Sequence, residues 1–337
     1  MKGRTLLIRA DADPQIGTGH VMRCLALGQA WQDDGGDVTW ACHRIPDGLL
    51  ERIRKENMDL ERVPAGAPAL AGVVREHSPS WVALDGRFDL LHQRAARGRD
   101  SRVLFVADDA SAGEYEVDLV LDPNVFADEG RYATLEARRV LAGPRYALLR
   151  RELTRTTLTR ARLGARVLLT FGGADPARLS STALAALALL YAEVPSLQAT
   201  LVLGAATPHQ EEIVRSAYSL PFVRTLYDVV DMGPHLAWAD VAVAAAGGTC
   251  LELAYAGVPI LAVVTADNQR RVAAALVERG IARSLGEARD IDAPTLAHAI
   301  GSLLADTDAR ASMGANGPGL VDGQGARRAV SAMVACP

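Results

Sequence analysis

The residues near the start of the chain best suited to chemistry are Asp11, Asp13 and His20. They sit in the stretch Arg9-Ala10-Asp11-Ala12-Asp13-Pro14-Gln15-Ile16-Gly17-Thr18-Gly19-His20. An apolar run at 5–8 precedes it and reads as a short buried strand, while residues 21–31 repeat apolar side chains at helical spacing. The stretch is therefore a strand-to-helix turn, in which Gly17 and Gly19 can take positive φ or admit a close neighbour. The N–H groups opening the helix would face an anion, and the positive end of its dipole favours neutral imidazole at His20. A neutral histidine beside an anion site at a strand's carboxyl end is a candidate general base, with Asp11 as its candidate orienting partner. If the dipole dominates, the His20 pKa lies at or below about 6.5, whereas Asp11 nearby would pull it upward. The plainer alternative is a structural turn with a surface histidine. It stays open on these residues, because Gly-x-Gly after a strand is common and the third glycine of a dinucleotide fingerprint is missing. Asp11 and Asp13 have the spelling of a metal-binding pair, but they precede the glycine turn, and the favoured reading assigns them no metal.

Three later loops repeat the strand-turn-helix form. Leu169-Thr170-Phe171-Gly172-Gly173-Ala174-Asp175-Pro176 carries a double glycine where backbone would approach a ligand. Ala245-Ala246-Gly247-Gly248-Thr249-Cys250-Leu251-Glu252 offers backbone and hydroxyl donors to a diphosphate, with Glu252 one helical turn further on, suited to ribose hydroxyls. Thr249 and Glu252 also spell a capping box, and the two roles are compatible. Thr265-Ala266-Asp267-Asn268-Gln269 places Asn268 either as a helix cap or, beside the Gly247 loop, as a ligand contact.

The elements that must position these loops alternate along the whole chain. Strand-like runs stand at 5–8, 38–41, 81–84, 103–107, 119–121 and 140–142, and again at 167–170, 199–203, 223–226, 241–244 and 260–264. Continuous apolar strands between amphipathic helices predict α/β architecture with parallel sheets covered on both faces. The charged stretch 150–165 separates the two series, which predicts Rossmann-like doubly wound domains at 1–150 and 151–337 with the ligand site in an interdomain cleft. A final helix is expected around 326–334. The chain has 337 residues, 49% of them hydrophobic, enough for two cores. A net charge of −4 argues against a nucleic-acid surface. Lysine stands only at Lys2 and Lys55, so the abundance of arginine is weak evidence for phosphate binding. Four cysteines (Cys24, Cys42, Cys250, Cys336) lack metal spacing and fit a reduced compartment. With no signal-peptide pattern and no long apolar span, the expectation is a soluble cytoplasmic protein without membrane insertion or an obligatory protein partner.

RADADPQIGTGHVMRCLALG, LAGPRYALLR, LLTFGGADP, AAAGGTCLELAYAGVPILAVVTADNQ and LVDGQGARR occur in an order that resembles the nucleotide-sugar hydrolases of pseudaminic acid biosynthesis and their spore-coat polysaccharide relatives. The resemblance spans nearly the whole chain. It extends to inverting glycosyltransferases built on two Rossmann-like domains (the GT-B fold), including the enzyme that adds N-acetylglucosamine to lipid I. It implies that the second domain holds UDP and the first presents the catalytic histidine, His20. It also implies substrate contacts from Gly17, Thr18, Gly19, Asp85, Arg145, Gly172, Gly173 and Asp175. The nucleotide motifs fall on Gly247, Gly248, Thr249, Glu252, Asn268 and Gln269, and the uracil-facing turn on 229–232, with Met232. Two departures lie in the sugar-reading half. An Asp-x-Tyr becomes Asp85-Gly86-Arg87, and an acidic segment survives only as Asp108-Asp109-Ala110-Ser111-Ala112-Gly113. The implied reaction is hydrolysis of a nucleotide sugar without a metal or other cofactor, with His20 activating water. A glycosyltransferase, a non-catalytic nucleotide-sugar-binding protein and, more weakly, a sugar epimerase are the competing readings. The first would require an acceptor surface, which the sequence does not display.

Overall fold

The computed structural model describes residues 3–336 apart from 14–15, 109–113, 133–138, 157, 159–163, 176 and 205–206. Thirteen strands are present among the described residues, divided between two compact units.

The first unit comprises the chain up to Arg151 together with the stretch from Gly323 onward. Its strands are β1 (Thr5–Ala10), β2 (Asp37–Cys42), β3 (Asp59–Arg62), β4 (Trp81–Asp85), β5 (Arg102–Val106), β6 (Leu119–Asp122) and β7 (Arg139–Ala142). They form one parallel sheet in the order β3-β2-β1-β4-β5-β6-β7. Successive residues of β1 feed opposite faces. Leu6 and Ile8 pack with Trp31, Trp40 and Trp81, while Leu7 packs with Val82, Leu84 and Phe105 on the other side. Burial on both faces is why these strands are continuously apolar.

The second unit, Glu152–Asp322, holds β8 (Arg166–Thr170), β9 (Gln198–Leu203), β10 (Val223–Tyr227), β11 (Val241–Ala245), β12 (Ile260–Val264) and β13 (Ala282–Glu287). Its parallel sheet has the order β10-β9-β8-β11-β12-β13. Each sheet therefore reverses its winding once, between β1 and β4 and between β8 and β11, and a doubly wound sheet binds ligands at the carboxyl end of that reversal.

Two features differ from the sequence reading. β3 and β13 were not anticipated. Both lie at sheet edges, and both mix exposed with partly buried residues, so neither carries a buried strand's apolar run. The last helix, Gly325–Val334, belongs with the first unit although the second domain was expected to run to 337. Ala326, Ala329, Val330 and Met333 pack into the core that also holds Leu25 and Trp31. Among the described residues, no helix is long and apolar enough to cross a membrane.

Candidate functional site

Strand register assembles the first site. Ala10 at the end of β1 pairs with Asp85 at the end of β4, Asp85 pairs with Val106 of β5, and Val106 pairs with Leu121 of β6. The side chains that leave these strand ends are thereby gathered at the sheet's reversal. The turn after β1 closes with Gly17 at φ +80°, its N–H donating to the Asp13 carbonyl at 2.8 Å. That left-handed conformation accounts for the glycine. Thr18 is the N-cap of the Gly19–Asp33 helix but makes no side-chain cap, so His20 stands in the first turn.

His20 Nδ1 lies 2.5 Å from Asp85 Oδ1. A carboxylate can only accept, so Nδ1 carries the hydrogen and Nε2 is left to take a proton. Asp85 is wholly buried. Arg23 donates to it through Nε and Nη2, each at 2.6 Å, and the Cys24 thiol donates at 3.3 Å. Burial alone would raise the Asp85 pKa, but the charge and hydrogen bonds of Arg23, followed by His20, bring it down to about 2. For His20, burial works toward a lower pKa, but the Asp85 charge and hydrogen bond together outweigh it and the pKa is raised. Of the two directions left open for His20 the upward one holds, with Asp85 rather than Asp11 as the cause, because an adjacent buried carboxylate acts more strongly than the end of a helix dipole.

Asp11 does not orient His20. It accepts from the backbone N–H groups of His43 and Arg44 at 2.7 and 3.0 Å and pairs with Arg9 at 2.7 Å. Its role is to hold the loop after β2. Asp13 accepts from Ile16 N–H and from Arg44, tying the turn after β1 to the loop after β2. Arg23 is the participant the sequence reading overlooked. Its signal was present, since a residue three positions after His20 shares its helix face.

Asp108, just beyond β5, stands on the other side of the imidazole. Its Oδ1 accepts from Arg23 Nη1, and its Oδ2 is 3.9 Å from His20 Nε2. Asn124 Nδ2 donates to the Asp108 carbonyl at 3.0 Å and to Asp122 at 2.7 Å, and the Tyr132 hydroxyl also donates to Asp122, at 2.6 Å. Burial raises the Asp122 pKa despite these bonds. Residues 109–113 of the acidic segment lie outside the described residues. Arg87, at the position where the resembling family has tyrosine, is exposed. Arg145 is exposed as well, its guanidinium 5.2 Å from the Tyr146 ring centroid and its carbonyl accepting from Arg328.

In the second unit, Thr170 of β8 pairs with Ala244 of β11, so the Gly172–Gly173 and Gly247–Gly248 turns leave neighbouring strand ends. Gly172 has φ +82°. Gly173 packs so closely on Gly204 that a Cβ on Gly204 would lie 2.5 Å from the Gly173 backbone. Part of this double-glycine turn therefore answers to packing rather than to a ligand. Asp175, expected to touch substrate, is buried and accepts from Leu179 and Ser180 N–H at 2.9 Å each, closing the start of the Leu179–Tyr191 helix. Gly248 needs no such explanation, since a Cβ there would meet nothing within 4 Å.

The Thr249–Tyr255 helix begins with Gly248 as N-cap and carries Glu252 in its first turn. Glu252 is half-buried. Asn268 precedes the Gln269–Glu278 helix without capping it, and is exposed. Gln269 folds back instead, its Oε1 accepting from Thr265 N–H at 2.9 Å and from the Thr265 hydroxyl at 3.0 Å. Its amide nitrogen is turned toward Gly247, 3.8 Å from where a Cβ on that glycine would stand. Met232 is buried at the start of the Gly233–Trp238 helix, and Asp231 accepts from Gly233 N–H.

Residues 167–327 match the Glycosyltransferase family 28 C-terminal domain. The spore coat polysaccharide biosynthesis protein SpsG of Bacillus subtilis (strain 168) is 29% identical over 189 residues, a match that spans 56% of this chain and 56% of that relative. Among solved structures, Acinetobacter baumannii MurG superposes with a TM-score of 0.68 at 16% identity, over 98% of this chain and 99% of its own. A UDP-N-acetylglucosamine 2-epimerase, described as putative, from Listeria monocytogenes gives 0.69 at 13% identity over 99% and 96%. The calicheamicin glycosyltransferase CalG4 gives 0.65 at 15% identity over the full length of both. The fold is that of the GT-B glycosyltransferases, and the family match together with the Bacillus subtilis relative supports a function connected with nucleotide sugars.

Proposed function

We propose that this chain is an enzyme that hydrolyses a nucleotide-activated sugar, with UDP as the nucleotide and His20 as the general base. The observation that carries the proposal is the His20–Asp85 pair: a buried carboxylate fixes the imidazole hydrogen on Nδ1 and leaves Nε2 basic. Oxygen of water bonds to the anomeric carbon, the bond from that carbon to the diphosphate oxygen breaks with its electron pair, and His20 Nε2 takes one proton. UDP is a good leaving group, so the chemistry asks chiefly for an activated nucleophile and for donors to the departing diphosphate. In the second unit the Gly247–Gly248 turn, Glu252, Asn268 and Gln269 would hold the nucleotide. The match of residues 167–327 to a glycosyltransferase C-terminal domain supports that assignment.

The name of the Bacillus subtilis relative, a spore coat polysaccharide biosynthesis protein, supports a place in polysaccharide biosynthesis, and the sugar proposed is of nonulosonic-acid or related amino-deoxy type. The same match favours a second reading, in which His20 deprotonates an acceptor hydroxyl and the sugar is transferred. Incubating the protein with UDP-, GDP- and CMP-sugars and no acceptor, and measuring free nucleotide, separates the two. Hydrolysis predicts UDP release from at least one amino- or deoxy-sugar donor. Release that appears only when an acceptor is added would establish transfer instead.

A further inference from the structure

His20 is bracketed by two carboxylates that one guanidinium holds in place. Arg23 grips Asp85 through Nε and Nη2 and Asp108 through Nη1, so the positions of both acids around the imidazole are coupled. Asp85 takes the Nδ1 side. Asp108 Oδ1 is engaged by Arg23, which leaves Oδ2 directed at the other ring nitrogen, 3.9 Å from His20 Nε2. That separation is too long for a direct hydrogen bond and suits one oxygen atom bonded to both groups. The Asp108 backbone is held in turn by Asn124, which is anchored on the buried Asp122, so the side chain is aimed from a fixed point although it is partly exposed.

We propose that Asp108 is a further catalytic residue, which together with His20 Nε2 holds the attacking water and selects water over an alcohol. The inference rests on the hydrolytic reading above. His20 Nε2 in its basic form and ionised Asp108 are both acceptors, and water has two O–H groups to give them. An alcohol has one, so an alcohol in that position would turn a lone pair on one of the two acceptors. In the reaction one water proton passes to His20 Nε2 while oxygen bonds to the anomeric carbon. The other proton stays on the new sugar hydroxyl, hydrogen-bonded to Asp108, which remains ionised. The electron pair of the broken bond leaves with the diphosphate.

The test is Asp108→Asn, assayed with a UDP-sugar that the wild-type protein hydrolyses, in buffer containing methanol as the probe alcohol. An asparagine can keep its oxygen on Arg23 and present its NH2 toward Nε2, replacing an acceptor by a donor that a methanol oxygen can use. Hydrolysis should fall by about 10- to 100-fold with UDP affinity unchanged. The ratio of methyl glycoside to free sugar should rise several-fold over wild type. That ratio counts only completed turnovers, so a partly unfolded variant does not move it. An unchanged ratio overturns the role of Asp108 whatever happens to the rate. Wild-type protein that releases no nucleotide without an acceptor overturns the hydrolytic reading, and this inference with it. Wild-type hydrolysis with an unmoved ratio in Asp108→Asn overturns the inference alone.

Discussion

Asp85 fixes the tautomer of His20 and raises its pKa, and this dictates how the site responds to substitution and to pH. His20→Asn keeps a polar group of similar reach that cannot take a proton. Turnover should fall by a factor on the order of 10²–10⁴ while UDP affinity, measured by calorimetry, barely changes. Near-normal turnover would reduce His20 to a positioning residue. The raised His20 pKa means that the basic imidazole is lost as pH falls through a value above the ordinary 6.5, so the acid limb of kcat/KM should lie above 6.5. Asp85→Asn removes the charge that produces this shift. Its acid limb should move to lower pH even as turnover drops. The opposing groups at the ring are Arg23, which lowers the pKa, and Asp108, which raises it. For Asp85 itself the folded pKa of about 2 lies below the ordinary aspartate value of 3.8. Its contribution to stability is therefore complete above the unfolded value and is lost as pH falls toward 2.

The strand-to-helix turns at Asp175 and Glu252 carry opposite expectations under the proposed function. Asp175 closes one, so Asp175→Ala should cost about 0.5–2 kcal/mol in denaturant unfolding, the usual worth of a helix cap, and leave UDP binding intact. Glu252 lies in the first turn of the helix after the Gly247–Gly248 turn. Glu252→Ala should weaken UDP binding by about 1–3 kcal/mol by calorimetry, as expected for charge-assisted hydrogen bonds to ribose. Unchanged affinity with a lowered melting temperature would assign Glu252 a structural role instead. The two substitutions thus make opposite predictions for turns of the same general form. Helical register separates them, because Asp175 lies before its helix, where its oxygens reach two free amides, whereas Glu252 lies within its own.

At the scale of the molecule, the chain leaves the first unit after Arg151 and comes back to it at Gly323. Met333 is fully buried in the first unit's core, so Met333→Ala should destabilise that unit by about 2–5 kcal/mol. If the units unfold separately, calorimetry should show the transition of the first unit lowered and that of the second, the unit that added UDP should raise under the proposed function, unmoved. A last helix packed on the second unit would give the reverse pattern.

The apolar runs and glycine turns by themselves determined the alternation of strands and helices, the parallel sheets and the place of His20 at a strand's carboxyl end. Local periodicity encodes these features, because a strand covered on both faces must be apolar throughout. Edge strands β3 and β13 escaped because each exposes part of its length, and the exposed positions do not need the apolar side chains that mark a buried strand. The home of the last helix escaped too, since an apolar helix face shows that the helix is packed without showing on what. Partners for the ionisable groups were decided only by tertiary structure. Asp11 is nine residues from His20 in sequence and Asp85 is 65 away, yet the register Ala10–Asp85 brings the distant acid to the imidazole. Meanwhile two backbone amides of the loop after β2 claim Asp11. Sequence spacing fixes which residues share a helix face or a turn. Which carboxylate meets which base depends on strand order, and strand order exists only once the sheet has formed.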